Sequence, residues 1–185
     1  YMFFGNAALL PIQINGSFLM RNLPFYLLLG GVGGIMSAYF TFVYEKINQF
    51  FSKLSSPYLR ILIGGIVLGL LVFLMPPLYG EGHEVINHLK EGHPELSLSS
   101  NIFGWHLENP WVVIFLLGGL VLFKVVATSV TFGAGGVGGI FSPMLFMGGV
   151  MGNCFARIIN QLDFLPYKLP LANFTLIGMT ALMTG

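Results

Sequence analysis

Between Lys124 and Arg157 the chain carries no Lys, Arg, Asp or Glu. Inside that interval Gly133, Gly135, Gly136, Gly138 and Gly139 crowd together directly ahead of Ile140-Phe141-Ser142-Pro143. Glycine lets a backbone bend where other residues would be strained, and the apolar residues after it predict a helix. The pattern therefore demands a break followed by a helix start in a water-poor setting. A helix start presents N–H groups with no partner inside the helix, together with the equivalent of about half a positive charge. Such a place can hold an anion without any cationic side chain.

Composition fixes the setting. Of 185 residues, 55% are hydrophobic and 8% are charged, whereas a soluble domain carries about 25% charged residues. Mean hydropathy is +0.82. So few charges cannot cover a water-exposed surface, which points to an integral membrane protein. A net charge of +1 gives no footprint for nucleic acid. A single cysteine, Cys154, excludes an internal disulfide and is expected to be a small core residue. No signal peptide is visible. The chain opens on Tyr1 and stops at Gly185 within an apolar segment, so it is expected to be a piece of a larger membrane protein.

Charge-poor windows predict spans at about 22–53, 57–78, 109–132, 140–162 and 171–185, within one partial transmembrane domain covering 1–185. Windows near 20 residues suffice to cross a bilayer at about 1.5 Å per residue. Around the junction of the first two spans stand Lys46, Lys53 and Arg60 against Glu45. A loop at about 80–108 carries Glu81, Glu84, Glu91, Glu95 and Glu108 against Lys90. An excess of Lys and Arg marks the cytoplasmic side, so that junction is expected inside and the loop outside. Within the loop, residues from His83 to Lys90 predict a short helix. Tyr79, Trp105 and Trp111 are expected at the membrane–water boundary.

Other patterns have simpler explanations. Gly-Gly-Val-Gly-Gly-Ile occurs at 30–35 and again at 135–140. The first copy lies in a continuous apolar span and reads as close helix packing. Gly133-x-Gly135-x-x-Gly138 fits the dinucleotide fingerprint only formally, because no strand or soluble βαβ unit surrounds it. His83, His88 and His93 recur every five residues, which on a helix sets them about 140° apart. They read as solvated loop residues rather than metal ligands. Lys124 is either a functional charge inside a span or a side chain snorkelling to an interface.

With Gly139 near the helix cap, Ile140, Phe141 and Ser142 keep unpaired N–H groups, and Pro143 has none to lose. At membrane depth each unsatisfied group costs several kcal/mol unless it lines a cavity or binds something. Two readings stand: an anion on an accessible path, held loosely enough to leave again, or a break filled by neighbouring protein.

Gly138-Gly-Ile-Phe-Ser-Pro143, followed by Met144-Leu145, resembles the glycine–x–Phe–x–Pro signature of the ClC family of chloride channels and proton-coupled chloride transporters. Phe123-Lys124-x-x-Ala127-Thr128, Tyr79-Gly80-Glu81-Gly82 and Ile177-Gly178-Met179-Thr180-Ala181-Leu182 resemble flanking blocks of the same family. The resemblance implies an all-α, polytopic bundle of tilted, unequal helices in two inverted repeats, of which this chain holds mostly the second. It implies a homodimer in the lipid bilayer, a bacterial inner membrane location, chloride or a similar small anion as the substrate, no cofactor, no metal and no enzymatic activity. Anion-binding backbone amides would come from Gly139, Ile140, Phe141 and Ser142. Gly138, Phe141 and Pro143 would form the motif, with Phe141 lining the pore. The family's gating glutamate, serine motif and anion-coordinating tyrosine have no counterpart in residues 1–185, so channel and antiporter remain equal expectations. The alternatives are an intramembrane metalloenzyme built on the His/Glu segment and a non-transporting membrane scaffold.

Overall fold

The computed structural model describes residues 20–80, 82–92, 109–163 and 165–184. Among these residues all regular structure is helical. A 3₁₀ turn at Met20–Asn22 leads into α1 (Leu23–Ser52), followed by α2 (Pro57–Leu74), a 3₁₀ turn at Pro76–Leu78, α3 (His83–Glu91), α4 (Pro110–Gly133), α5 (Phe141–Gln161) and α6 (Leu171–Thr184).

The boundaries follow from local chemistry. Prolines stand in the first turns of α1, α2 and α4, where the missing N–H is an orphan anyway. Asn109 caps α4, its Oδ1 accepting from Trp111 N–H at 3.0 Å. Pro76-Pro77 stops α2, because neither residue can donate to the helical ladder. Gly82 and Gly92 frame α3 with φ of +75° and +87°, a left-handed conformation that costs other residues about 1–2 kcal/mol.

Among the described residues three helices are long and apolar enough to cross a membrane: the one from Met20 to Ser52, α2 and α4. Much of their apolar surface is exposed. Leu27, Leu28, Ile35 and Phe42 of α1 and Ile61, Leu62, Ile66, Leu70 and Phe73 of α2 all face outward. In hydrocarbon this carries no penalty, so the chain has the surface of an all-α, polytopic membrane protein. Helix α5 fills most of the window at 140–162, and α6 fills the window from 171 to Thr184. Helix α6 has 14 residues, about 21 Å of rise against about 30 Å of hydrocarbon.

Helices α5 and α6 run antiparallel and make the tightest pair. The reason is the absence of side chains. A Cβ on Gly148 would overlap the carbonyl oxygen of Gly178, and one on Gly152 would overlap that of Phe174. Glycines four apart thus let two backbones touch, as small residues do in membrane helix pairs. Helix α4 packs on α5, and α1 covers α4 and α6. Phe146, Met147, Val150, Phe174, Leu117, Leu120, Val125 and Leu29 form the wholly buried centre. Helix α2 leans on α4 through Gly64, where a Cβ would overlap that of Ala134.

In the first Gly-Gly-Val-Gly-Gly-Ile copy only Gly33 is a packing glycine: a Cβ there would lie 3.1 Å from the Ala181 carbonyl oxygen, whereas Gly30, Gly31 and Gly34 face open space. Cys154 is half-buried and packs at the edge of the core, its Sγ 3.6 Å from the Ile114 carbonyl oxygen.

Candidate functional site

The break between α4 and α5 is built by hydrogen bonds that end abruptly. The N–H groups of Ala134, Gly135 and Gly136 turn back to the carbonyls of Val130, Phe132 and Thr131 at 2.9, 3.0 and 2.8 Å. Gly135 has φ of +99°, and a Cβ on Gly136 would sit 2.7 Å from the Thr131 carbonyl oxygen. These two positions need glycine for conformation and for close approach. Val137, Gly138 and Gly139 then run exposed.

The cap of α5 is Ile140, the residue after Gly139. Ile140 has helical dihedrals of −75° and −20°, and its carbonyl accepts the first helical bond, from Met144 N–H at 3.1 Å. Ile140 is therefore the cap, and Phe141, Ser142 and Pro143 are the first three helical residues. Among the described residues no backbone carbonyl takes the N–H of Gly138, Gly139, Ile140, Phe141 or Ser142, and no side chain caps the helix. Ser142 Oγ is buried without a hydrogen-bond partner among the described residues. Phe141 is 60% exposed. A Cβ on Gly138 or Gly139 would touch nothing within 4 Å. The six motif residues thus form one continuous turn with a row of donors, an open side and no charged side chain of its own.

Lys124 neither snorkels nor stands alone. It is 5% exposed, and its ammonium donates to the carbonyls of Leu78 and Gly80 at 2.9 and 2.8 Å. The same Nζ lies 5.1 Å from the centre of the Phe146 ring on α5, a cation–π distance.

His83 and His88 lie on α3 and are half-buried, not solvated loop residues. Val85, Ile86 and Leu89 are buried and dock α3 on α5 and α6, which draws the two histidines toward the protein. His93, Trp105 and much of the 80–108 loop lie outside the described residues. Among the described residues no three His, Cys, Asp or Glu side chains are placed to hold a metal ion.

One polar centre escaped the sequence reading. Asn153 is wholly buried. Its Nδ2 donates to the Leu89 carbonyl at 3.1 Å and to Thr175 Oγ1 at 3.0 Å, and its Oδ1 accepts from Arg157 Nε at 2.8 Å. It joins α3, α5 and α6 where no water can serve. The available signal was Asn153 and Arg157 four apart, hence on one helix face, in an otherwise charge-free helix.

The family model described as voltage gated chloride channel matches residues 1–185. A Klebsiella pneumoniae protein named H(+)/Cl(−) exchange transporter ClcA is 28% identical over 100% of this chain and 36% of its own length. A Citrobacter koseri protein named voltage-gated ClC-type chloride channel ClcB is 26% identical over 83% of this chain and 33% of its own. A Salmonella typhimurium protein of the same name is 30% identical over 60% of this chain and 22% of its own. The chain spans about a third of the length of the first two relatives.

Proposed function

The chain belongs to the voltage-gated chloride channel family, and from that membership we propose that the full-length protein moves chloride or a similar small anion across a membrane. The backbone amides of Gly139, Ile140, Phe141 and Ser142 contribute one wall of the anion path, and Phe141 lines it. The observation that carries this reading is the row of unpaired N–H groups at the start of α5. The buried, unpartnered Ser142 hydroxyl beside them adds a further donor. Amide dipoles preorganised in a fixed turn stabilise an anion without the deep well of a buried Arg, so an ion that sheds water there can also leave.

The other parts of the reading follow the family. The protein is an integral membrane homodimer in the bacterial inner membrane, with the link at Lys53 cytoplasmic and the 80–108 loop external. It takes no cofactor and performs no enzymatic reaction. One relative is named an exchanger and another a channel. A measured ratio of proton to halide flux therefore decides which mode this protein uses.

The test is halide efflux from liposomes containing the full-length protein. Gly139→Val places a side chain on the open face of the donor row, and Phe141→Ala removes the lining ring. Both should lower flux or change anion selectivity while the protein still elutes as an assembled species. Wild-type flux and selectivity in both variants would refute the assignment.

A further inference from the structure

We propose that Lys124 is a positioning residue for the anion site: it holds the Leu78 and Gly80 carbonyls beside Phe146 near the start of α5 and thereby sets where the first turn of α5 stands. This rests on the anion-path reading above. The link from 134 to 140 cannot fix that turn by itself. It is rich in glycine, exposed from Gly135 to Gly139, and after Gly136 makes no backbone hydrogen bond among the described residues until the helix begins. The position of Phe141 and Ser142 must therefore be imposed by contacts along the body of α5.

Phe146 is the contact nearest the site that is wholly buried. It lies five residues along α5 from Phe141, about 7.5 Å of helical rise. Two groups bear on its ring. The Lys124 ammonium stands 5.1 Å from the ring centre, and the Gly82 backbone lies so close that a Cβ there would overlap the ring. The same ammonium holds the carbonyls of Leu78, at the end of the 3₁₀ turn, and of Gly80, two residues before Gly82. Lys124, the turn and Phe146 thus form one unit across α4 and α5. A charge-assisted bond from a cation to a carbonyl is about twice as strong as a neutral one, so the clamp is stiff.

The experiment measures halide flux against halide concentration in liposomes for full-length wild type, Lys124→Arg, Lys124→Met and Phe146→Leu, with a chloride/nitrate selectivity ratio for each. Positioning predicts that Lys124→Met and Phe146→Leu both raise the half-saturating halide concentration, on the order of tenfold, which corresponds to about 1.4 kcal/mol. Both should move the selectivity ratio, and Lys124→Arg should restore most of the wild-type value. The neutral Phe146→Leu variant separates positioning from the field of the charge. If only Lys124→Met shifts half-saturation, the charge acts directly and the clamp is refuted. If assembled variants merely lose thermal stability and keep wild-type half-saturation and selectivity, the role is structural and the proposal fails. If Lys124→Met does not assemble, Phe146→Leu alone decides by the same criterion. Absence of halide flux in the wild type would instead overturn the transport reading itself.

Discussion

Replacing Gly152 by alanine tests the contact on which the centre of the molecule depends. An added Cβ would overlap the Phe174 carbonyl oxygen and lie 2.9 Å from the Phe174 carbonyl carbon and 3.1 Å from Gly178 Cα. Ordinary carbon contacts settle at about 3.5–4.0 Å. All three neighbours are backbone atoms, so no side-chain rotation relieves the clash and α6 must shift as a body by close to an ångström. Overpacking of this kind costs about 1–3 kcal/mol. The same shift stretches the 3.0 Å bond between Asn153 and Thr175 beyond useful range, at about 0.5–1.5 kcal/mol. Against this, alanine gains about 0.8–1.0 kcal/mol of helix propensity over glycine. The steric terms win, and Gly152→Ala should destabilise by about 1–3 kcal/mol net. Gly149→Ala is the internal control. Its nearest neighbour is the Met179 Cε at 3.0 Å, the far end of a flexible side chain, so propensity wins and stability should hold or rise slightly. Equilibrium denaturant unfolding of the purified full-length protein in detergent, followed by tryptophan fluorescence, measures both. A Gly152→Ala protein as stable as Gly149→Ala would refute the reasoning.

The buried polar centre makes a second prediction. Asn153→Leu removes three buried hydrogen bonds, to the Leu89 carbonyl, to Thr175 Oγ1 and from Arg157 Nε, while Leu89 keeps its bond from Gly92 N–H and Thr175 its bond to the Leu171 carbonyl. The expected loss is about 2–4 kcal/mol, read in the same unfolding assay, and wild-type stability would show that the network carries no weight. At the site, Ser142→Ala removes a hydroxyl that has no protein partner. Folding stability should therefore change by less than about 0.5 kcal/mol, while halide affinity measured by calorimetry on the full-length protein falls. A large stability loss with unchanged affinity would mean the hydroxyl serves the fold and not the ion.

Much of the architecture is legible in the residues because bilayer physics leaves few options. A chain with 8% charge must satisfy its backbone internally, and helices do that within each segment. Prolines at helix starts and the Pro76-Pro77 stop are similarly local. That the cap of α5 is Ile140 itself depends on its helical dihedrals and on its carbonyl accepting from Met144, a choice that sequence pattern does not encode. The half-burial of His83 and His88 was not legible either, since it depends on Val85, Ile86 and Leu89 finding α5 and α6.

The sequence by itself determined an all-helical membrane chain and a glycine break ahead of Ile140, because charge, glycine and proline act over a few residues. Only the tertiary structure decided which glycines touch a neighbour. Gly152 and Gly178 do and Gly31 does not, although all three sit in apolar helices. Only the tertiary structure, too, gave Lys124 its partners, since the carbonyls it holds lie more than 40 residues away. Contacts of that reach exist only after helices pack, and they fix where a locally encoded turn comes to stand.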